Sequence, residues 1–170
     1  MIPALRELGE RFSRKEALVP DLLVGARAMQ SALNVIEPLL AGRGHGKRSR
    51  VCIGTVQGDH HDIGKNIVVM MLRASGYDVD DIGASCGADR FVEAVSGGAR
   101  AVLCSMLITS CGRHLEEIVE RFVSRPDIPV IIGGAAVNEG FAREIGAFAC
   151  GADANDAARI LDGLVESKRI

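Results

Sequence analysis

From Pro3 to Leu40 the apolar residues Leu5, Leu8 and Phe12, then Leu18, Leu22, Leu23, Ala26, Met29, Leu33 and Ile36, recur three and four positions apart. That period lays them along one face of an amphipathic helix, and the stretch from Ser13 to Pro20 breaks it into two helices. Ala41 to Arg50 then gathers three glycines and four cations in ten residues with no hydrophobic period, which reads as a linker.

After the linker the pattern changes. Short β-rich runs at Val51–Val56, Tyr77–Ile82, Ala101–Met106, Val130–Ile132 and Ala147–Cys150 predict strands. Between them Ile63–Ala74, Asp89–Val95, Arg113–Val123, Glu139–Ile145 and Ala154–Glu166 predict helices. The alternation implies βαβ units, hence an α/β fold: a flavodoxin-like (Rossmann-like), doubly wound five-stranded parallel sheet, preceded by a short helical segment. The expected strand order is 2-1-3-4-5. Ligands in such sheets bind beyond the carboxyl ends of the strands, near the switch in order. The loops after strands 1, 3, 4 and 5 are therefore where chemistry is expected.

Composition narrows the classes. The length, 170 residues, suits one compact domain with little left over. Twenty Lys and Arg against 22 Asp and Glu, net −2, give no support to nucleic-acid binding or to a polybasic membrane patch. No Trp, one Tyr and five Phe argue against stacking platforms for single strands. Glycine is in excess, 20 residues, as tight turns or close ligand approach require. Five cysteines without a CxxC pair read as reduced thiols. The N-terminus lacks signal-peptide features, and the longest apolar run, Ile67 to Leu72, is too short for a bilayer. A cytoplasmic protein with no membrane partner is expected.

The richest chemistry is Gly58-Asp59-His60-His61-Asp62-Ile63-Gly64-Lys65-Asn66, which follows the first strand and opens the first helix. Turn chemistry explains part of it, since Asp62 can cap the helix. A phosphate loop is excluded, because five residues separate Gly58 from Gly64, Asn66 replaces the hydroxyl, and acids in the cradle repel phosphate. A zinc or two-metal site is poorly supplied, with only His45 and His114 elsewhere. A cysteine nucleophile paired with histidine stays open, although no familiar nucleophile motif surrounds any cysteine. In Asp59-x-His61-x-x-Gly64, residues two apart in an extended loop point the same way. Asp59 can then accept the N–H of one imidazole nitrogen and leave the other as a neutral metal ligand. Gly64 lets a large ligand approach the helix start. One imidazole backed by a carboxylate suits a metal that brings its other ligands, such as a metallated macrocycle.

With Ser105-Met106-Leu107 after the third strand and Gly133-Gly134 after the fourth, the chain resembles the cobalamin-binding domain of methionine synthase. It looks still more like the corrinoid proteins of methylamine, methanol and methoxyl-type methyltransferase systems. The likeness runs through essentially the whole chain, including Leu8-Gly9-Glu10-Arg11-Phe12 and Pro20 to Leu40. It implies a cobalamin or related corrinoid (methylcobalamin, cob(I)alamin), bound base-off with its nucleotide tail in a slot beside the sheet. It implies His61 as lower cobalt ligand and Asp59 as its hydrogen-bonded partner, the pair coupling cobalt redox state to protonation. Gly58, His60, Asp62, Ile63 and Gly64 would complete the loop, and Ser105, Leu107, Gly133 and Gly134 would line the slot. Members of the family usually carry a Ser or Thr hydroxyl where Cys111 stands. A thiol is a poorer partner, so Thr109 or Ser110 would substitute or the relay would weaken.

The resemblance also implies partners: a substrate-specific methyltransferase that loads methyl, and a second that delivers it to an acceptor such as tetrahydrofolate or a thiol. A reductive activase and self-association as a homo-oligomer are further associations it admits. The chain would be a component of such a system rather than a stand-alone catalyst. Residues 1–42 answer to a partial helical cap over the methyl face, with Phe12 and Met29 as candidate contacts, 43–50 to the linker and 51–170 to the cofactor domain. Subunits of adenosylcobalamin-dependent mutases and corrinoid-sensing modules share the motif; the helical segment before the first strand favours the methyl carrier. A flavodoxin-like domain without corrinoid would require three accidental motif matches.

Overall fold

The computed structural model describes residues 48–170 together with residues 7–8, 11, 14, 16–18, 20–21, 24–25, 27–28, 31–32 and 34–36. The chain divides into two compact units, Met1–Gly42 and Arg43–Ile170. In the first, the described residues at 7–8, 11 and from 20 to 36 are helical, while 14, 16 and 17 form turn and bend. The Leu18 amide donates to Asp21 Oδ2 at 2.8 Å, satisfying a backbone donor just ahead of the second helical stretch. Phe12, Met29 and His45 lie outside the described residues.

The second unit alternates strand and helix: β1 (Arg50–Val56), α1 (Ile63–Ala74), β2 (Asp78–Cys86), α2 (Ala88–Ser96), β3 (Val102–Ser105), α3 (Gly112–Phe122), β4 (Val130–Gly133), α4 (Glu139–Ile145), β5 (Ala149–Gly151) and α5 (Ala154–Glu166). The sheet is parallel throughout, in the expected order β2-β1-β3-β4-β5. Because strand side chains alternate between faces, each register row belongs to one side. Cys52, Val102 and Val130 share a row and pack, with Cys104 and Ile132, under Phe91 of α2 and Leu115, Ile118 and Phe122 of α3. Ile53, Leu103 and Ile131 share a row on the opposite face, under Val69 and Leu72 of α1 and Leu161 and Leu164 of α5. Burying side chains of this size contributes about 1.5–3 kcal/mol each.

At the amino edge of the sheet a polar clasp holds the start of the domain. The Tyr77 hydroxyl donates to Asp162 Oδ1 at 2.7 Å. Arg48 pairs with the same carboxylate and lies over the Tyr77 ring, 5.4 Å from its centroid. Burial, reinforced by Asp162, pushes the phenol up to about 12.

Helices α1, α4 and α5 keep their expected bounds, and nearly all other ends fall within two residues of expectation. The exception is β2, which runs on to Cys86 rather than stopping at Ile82. Its register against β1 slips twice, Ile53 opposite Asp81 but Gly54 opposite Gly83 and Val56 opposite Cys86. Each slip inserts an extra residue and breaks the period-two pattern by which a strand is read. No helix among the described residues is long and apolar enough to cross a membrane.

Candidate functional site

Past β1 the chain turns through Gly58, and the Asp59 amide donates back to the Val56 carbonyl at 3.1 Å. That turn folds the Asp59 side chain inward, where it is fully buried. Its Oδ1 accepts the His61 amide at 3.0 Å and stands 2.7 Å from His61 Nδ1. Its Oδ2 accepts the backbone N–H of Leu107 at 2.6 Å. Burial alone would raise the carboxyl pKa; the bonds from the Leu107 amide, the His61 amide and the His61 ring outweigh it and hold Asp59 below the usual carboxylate range. The His61 side chain is 60% exposed. In the tautomer with the proton on Nδ1, shared with Asp59, the lone pair would lie on Nε2, the form in which imidazole ligates a metal.

Beside this loop, the last register row shared by β1, β3, β4 and β5 consists of Thr55, Ser105, Gly133 and Gly151. It lies on the α1 and α5 face, two residues beyond Ile53, Leu103, Ile131 and Ala149. Thr55 and Ser105 are buried, and the row carries no side chain larger than threonine. The glycines of the site have different reasons for being glycine. Gly134 has φ +115°, and a Cβ there would stand 2.3 Å from the Met106 carbonyl oxygen, so backbone packing requires it. At Gly64 a Cβ would meet nothing within 4 Å. Packing within the protein does not require a glycine there, and a Cβ would occupy space that a ligand can use. The exposed, carboxylate-backed His61, the bare Gly64 and the small-residue row together fit a bulky metal-bearing ring with an appended tail.

The other expected residues fall as follows. Gly58 and His60 are exposed and Ile63 is partly buried at the start of α1. Asp62 occupies the N-cap position of α1, but its side chain makes no capping hydrogen bond, which corrects the turn reading. Leu107 is partly buried, and Thr109 is exposed in a short 3-10 turn, Thr109–Cys111. Cys111 is buried against Gly58, its Sγ 3.3 Å from where a Cβ would stand. The donor to Asp59 from this segment is a backbone amide, that of Leu107, rather than a hydroxyl. Sequence reasoning missed Thr55 and Gly151, which join the row only through strand register. It also missed Ser85, whose N–H donates to the Asp59 carbonyl at 3.0 Å and whose Oγ accepts the Gly58 amide at 3.0 Å.

Burial pushes the Cys52 thiol up to about 12 and Cys104 well above its ordinary value, the reverse of what a nucleophile needs. Among the described residues no group of three or more His, Cys, Asp or Glu side chains is arranged to hold a metal ion.

Two family profiles, each described as a B12 binding domain, match residues 49–162 and residues 1–37. The trimethylamine corrinoid protein of Methanosarcina barkeri is 36% identical over 159 residues, which cover 90% of this chain and 73% of that one. The solved structure of the monomethylamine corrinoid protein of Methanosarcina barkeri is similar with a TM-score of 0.82 at 27% identity, covering 92% of this chain and 76% of that one. The methanol:cobalamin methyltransferase complex MtaBC of Methanosarcina barkeri contains a chain similar with a TM-score of 0.67 at 26% identity, covering 95% of this chain and 63% of that one.

Proposed function

This chain belongs to the B12 binding domain family, and from that premise we propose that it is the corrinoid methyl carrier of a methyltransferase system, with His61 as the lower axial ligand. Its cofactor is cobalamin or a related corrinoid, and its relatives are methyltransferase corrinoid proteins. Its partners are methyltransferases: one that loads methyl from a substrate and one that passes it to an acceptor such as tetrahydrofolate or a thiol. The MtaBC complex, in which a corrinoid protein and a methyltransferase associate, supports the first of these. A reductive activase, self-association and a cytoplasmic location complete the reading.

The observation that carries it is the Asp59–His61 pair, an exposed imidazole held by a buried, ionised carboxylate at the strand-order switch. The corrinoid, when bound base-off, supplies a cobalt centre that accepts and releases methyl. The protein's own work is holding and orienting. Asp59 fixes the tautomer of His61 and so presents Nε2; Leu107 N–H and the His61 amide keep the carboxylate ionised and immobile. Asp59 Oδ1, 2.7 Å from Nδ1, would keep the His61 ring oriented whether or not a corrinoid is bound. Thr55, Ser105, Gly133 and Gly151 would line the tail slot, and Gly64 would admit the ring.

The test is an absorption titration of apoprotein with hydroxocobalamin and methylcobalamin, wild type beside His61→Ala, followed by desalting. Stoichiometric retention by wild type with a His61-dependent shift of the corrin bands is expected, with retention at least tenfold weaker in the variant. Identical spectra and retention in the two proteins would remove His61 from the cobalt.

A further inference from the structure

The His61 loop is gripped from a third side, by the end of β2. Ser85 has φ +52°, a left-handed conformation uncommon outside glycine, asparagine and aspartate. Such an outlier persists only where its surroundings hold it. Here the holding contacts run straight to the site: the Ser85 N–H donates to the Asp59 carbonyl, and Ser85 Oγ accepts the Gly58 amide. One residue thus clasps two consecutive residues just ahead of His61.

The two slips in β2 register explain how Ser85 gets there. Between Asp81 and Cys86 the strand gains two residues over β1, and Gly83, at φ +93°, makes the bend. The bend is braced from α1. Lys65, buried in the first helical turn, donates to Asp81 Oδ2 at 2.6 Å, to Asp81 Oδ1 at 2.7 Å and to Asn66 Oδ1 at 2.7 Å. Asp81 Oδ1 also accepts the Gly83 amide at 3.0 Å. A cation in the first turn of a helix opposes the helix dipole, so the Asp81 carboxylate is what makes Lys65 tenable there. Helix, bulge and loop form one connected frame.

We infer that Ser85 is a positioning residue for the axial histidine: braced by the Lys65–Asp81 ion pair, it fixes the Gly58–Asp59 turn and thereby the direction in which His61 is presented. The inference rests on the reading of His61 as cobalt ligand. Three variants separate the possible causes. Ser85→Gly removes the hydroxyl while accepting the left-handed backbone, Ser85→Ala removes it while keeping Cβ, and Ser85→Asn tolerates the backbone and restores a side-chain oxygen. The first readout is amide hydrogen exchange in apoprotein; the second is the fraction of bound cobalamin with the His61-dependent spectrum.

In the Gly and Ala variants exchange at Gly58 should quicken at least tenfold, with β3 amides unchanged, and the His61-dependent fraction should fall at least threefold. Ser85→Asn should recover both. Unchanged Gly58 exchange, faster exchange with an unchanged spectrum, or no recovery in Ser85→Asn would each overturn the positioning role. If wild type shows no His61-dependent spectrum, the axial-ligand reading falls and this role falls with it; the apoprotein exchange data distinguish that outcome from a failure of Ser85 alone.

Discussion

The two faces of the sheet end differently at the carboxyl edge. On the face covered by α2, α3 and α4, apolar material continues to the last residues, Val56 and Met106, with Cys86 and Cys111 beside them. On the face covered by α1 and α5 it stops at Ile53, Leu103 and Ile131, and the final row is Thr55, Ser105, Gly133 and Gly151. Each position in that row that could have held a buried Val or Leu forgoes roughly 1.5–3 kcal/mol. A parallel sheet can thus keep one face as core along its whole length and leave the last layer of the other without large side chains. The Asp59–His61 loop stands at the end of the same strand, β1, that belongs to both faces.

The largest effect should come from the closed face. Phe91→Ala, at a fully buried ring, should cost about 3–5 kcal/mol in urea unfolding while the folded fraction retains corrinoid normally. Next is the open face: Gly133→Leu should reduce corrinoid retention at least 100-fold, about 2.7 kcal/mol, read on the folded fraction because its Cβ would stand 3.3 Å from the Gly151 carbonyl oxygen. Normal retention in Gly133→Leu would erase the functional distinction between the faces. Asp59→Ala should destabilise apoprotein by about 2–3 kcal/mol, because it removes hydrogen bonds to a buried charged group. Its pH dependence has a definite sign. The native carboxyl titrates below its unfolded value of about 3.9, so its contribution is complete above that value and lost as pH falls through the lowered native pKa. Wild-type and Asp59→Ala urea midpoints should therefore converge on acidification below about pH 4. The smallest effect belongs to Cys111→Ser, expected to leave the corrin spectrum unchanged because the Leu107 amide already bonds Asp59; a shifted spectrum would return a hydroxyl to the relay.

How much of this was legible in the sequence differs from element to element. The bounds of α1, α4 and α5 were readable because Gly, Asn and Asp punctuate regular apolar periods, as at Asn138 and Asp153, whose side chains accept the Phe141 and Asp156 amides. The Asp59–His61 spacing was readable because two residues in one extended loop need no tertiary knowledge. The end of β2 was not, because Gly83-Ala84-Ser85 breaks the alternation and reads as a turn until β1 is laid beside it. Thr55 and Gly151 carry no local signal, since only register aligns them with Ser105 and Gly133. The Leu107 donor escapes any reading by residue type, because every residue but proline has the same N–H.

The hydrogen bond from Leu107 to Asp59 spans 48 residues, and that separation acquires a meaning during translation. At about 5–20 residues/s, roughly 2–10 s pass between synthesis of the acid and synthesis of the amide that holds it. The last member of the small-residue row, Gly151, arrives later still. A nascent chain therefore carries Asp59 and His61 before it carries the Leu107 amide that holds the acid in place.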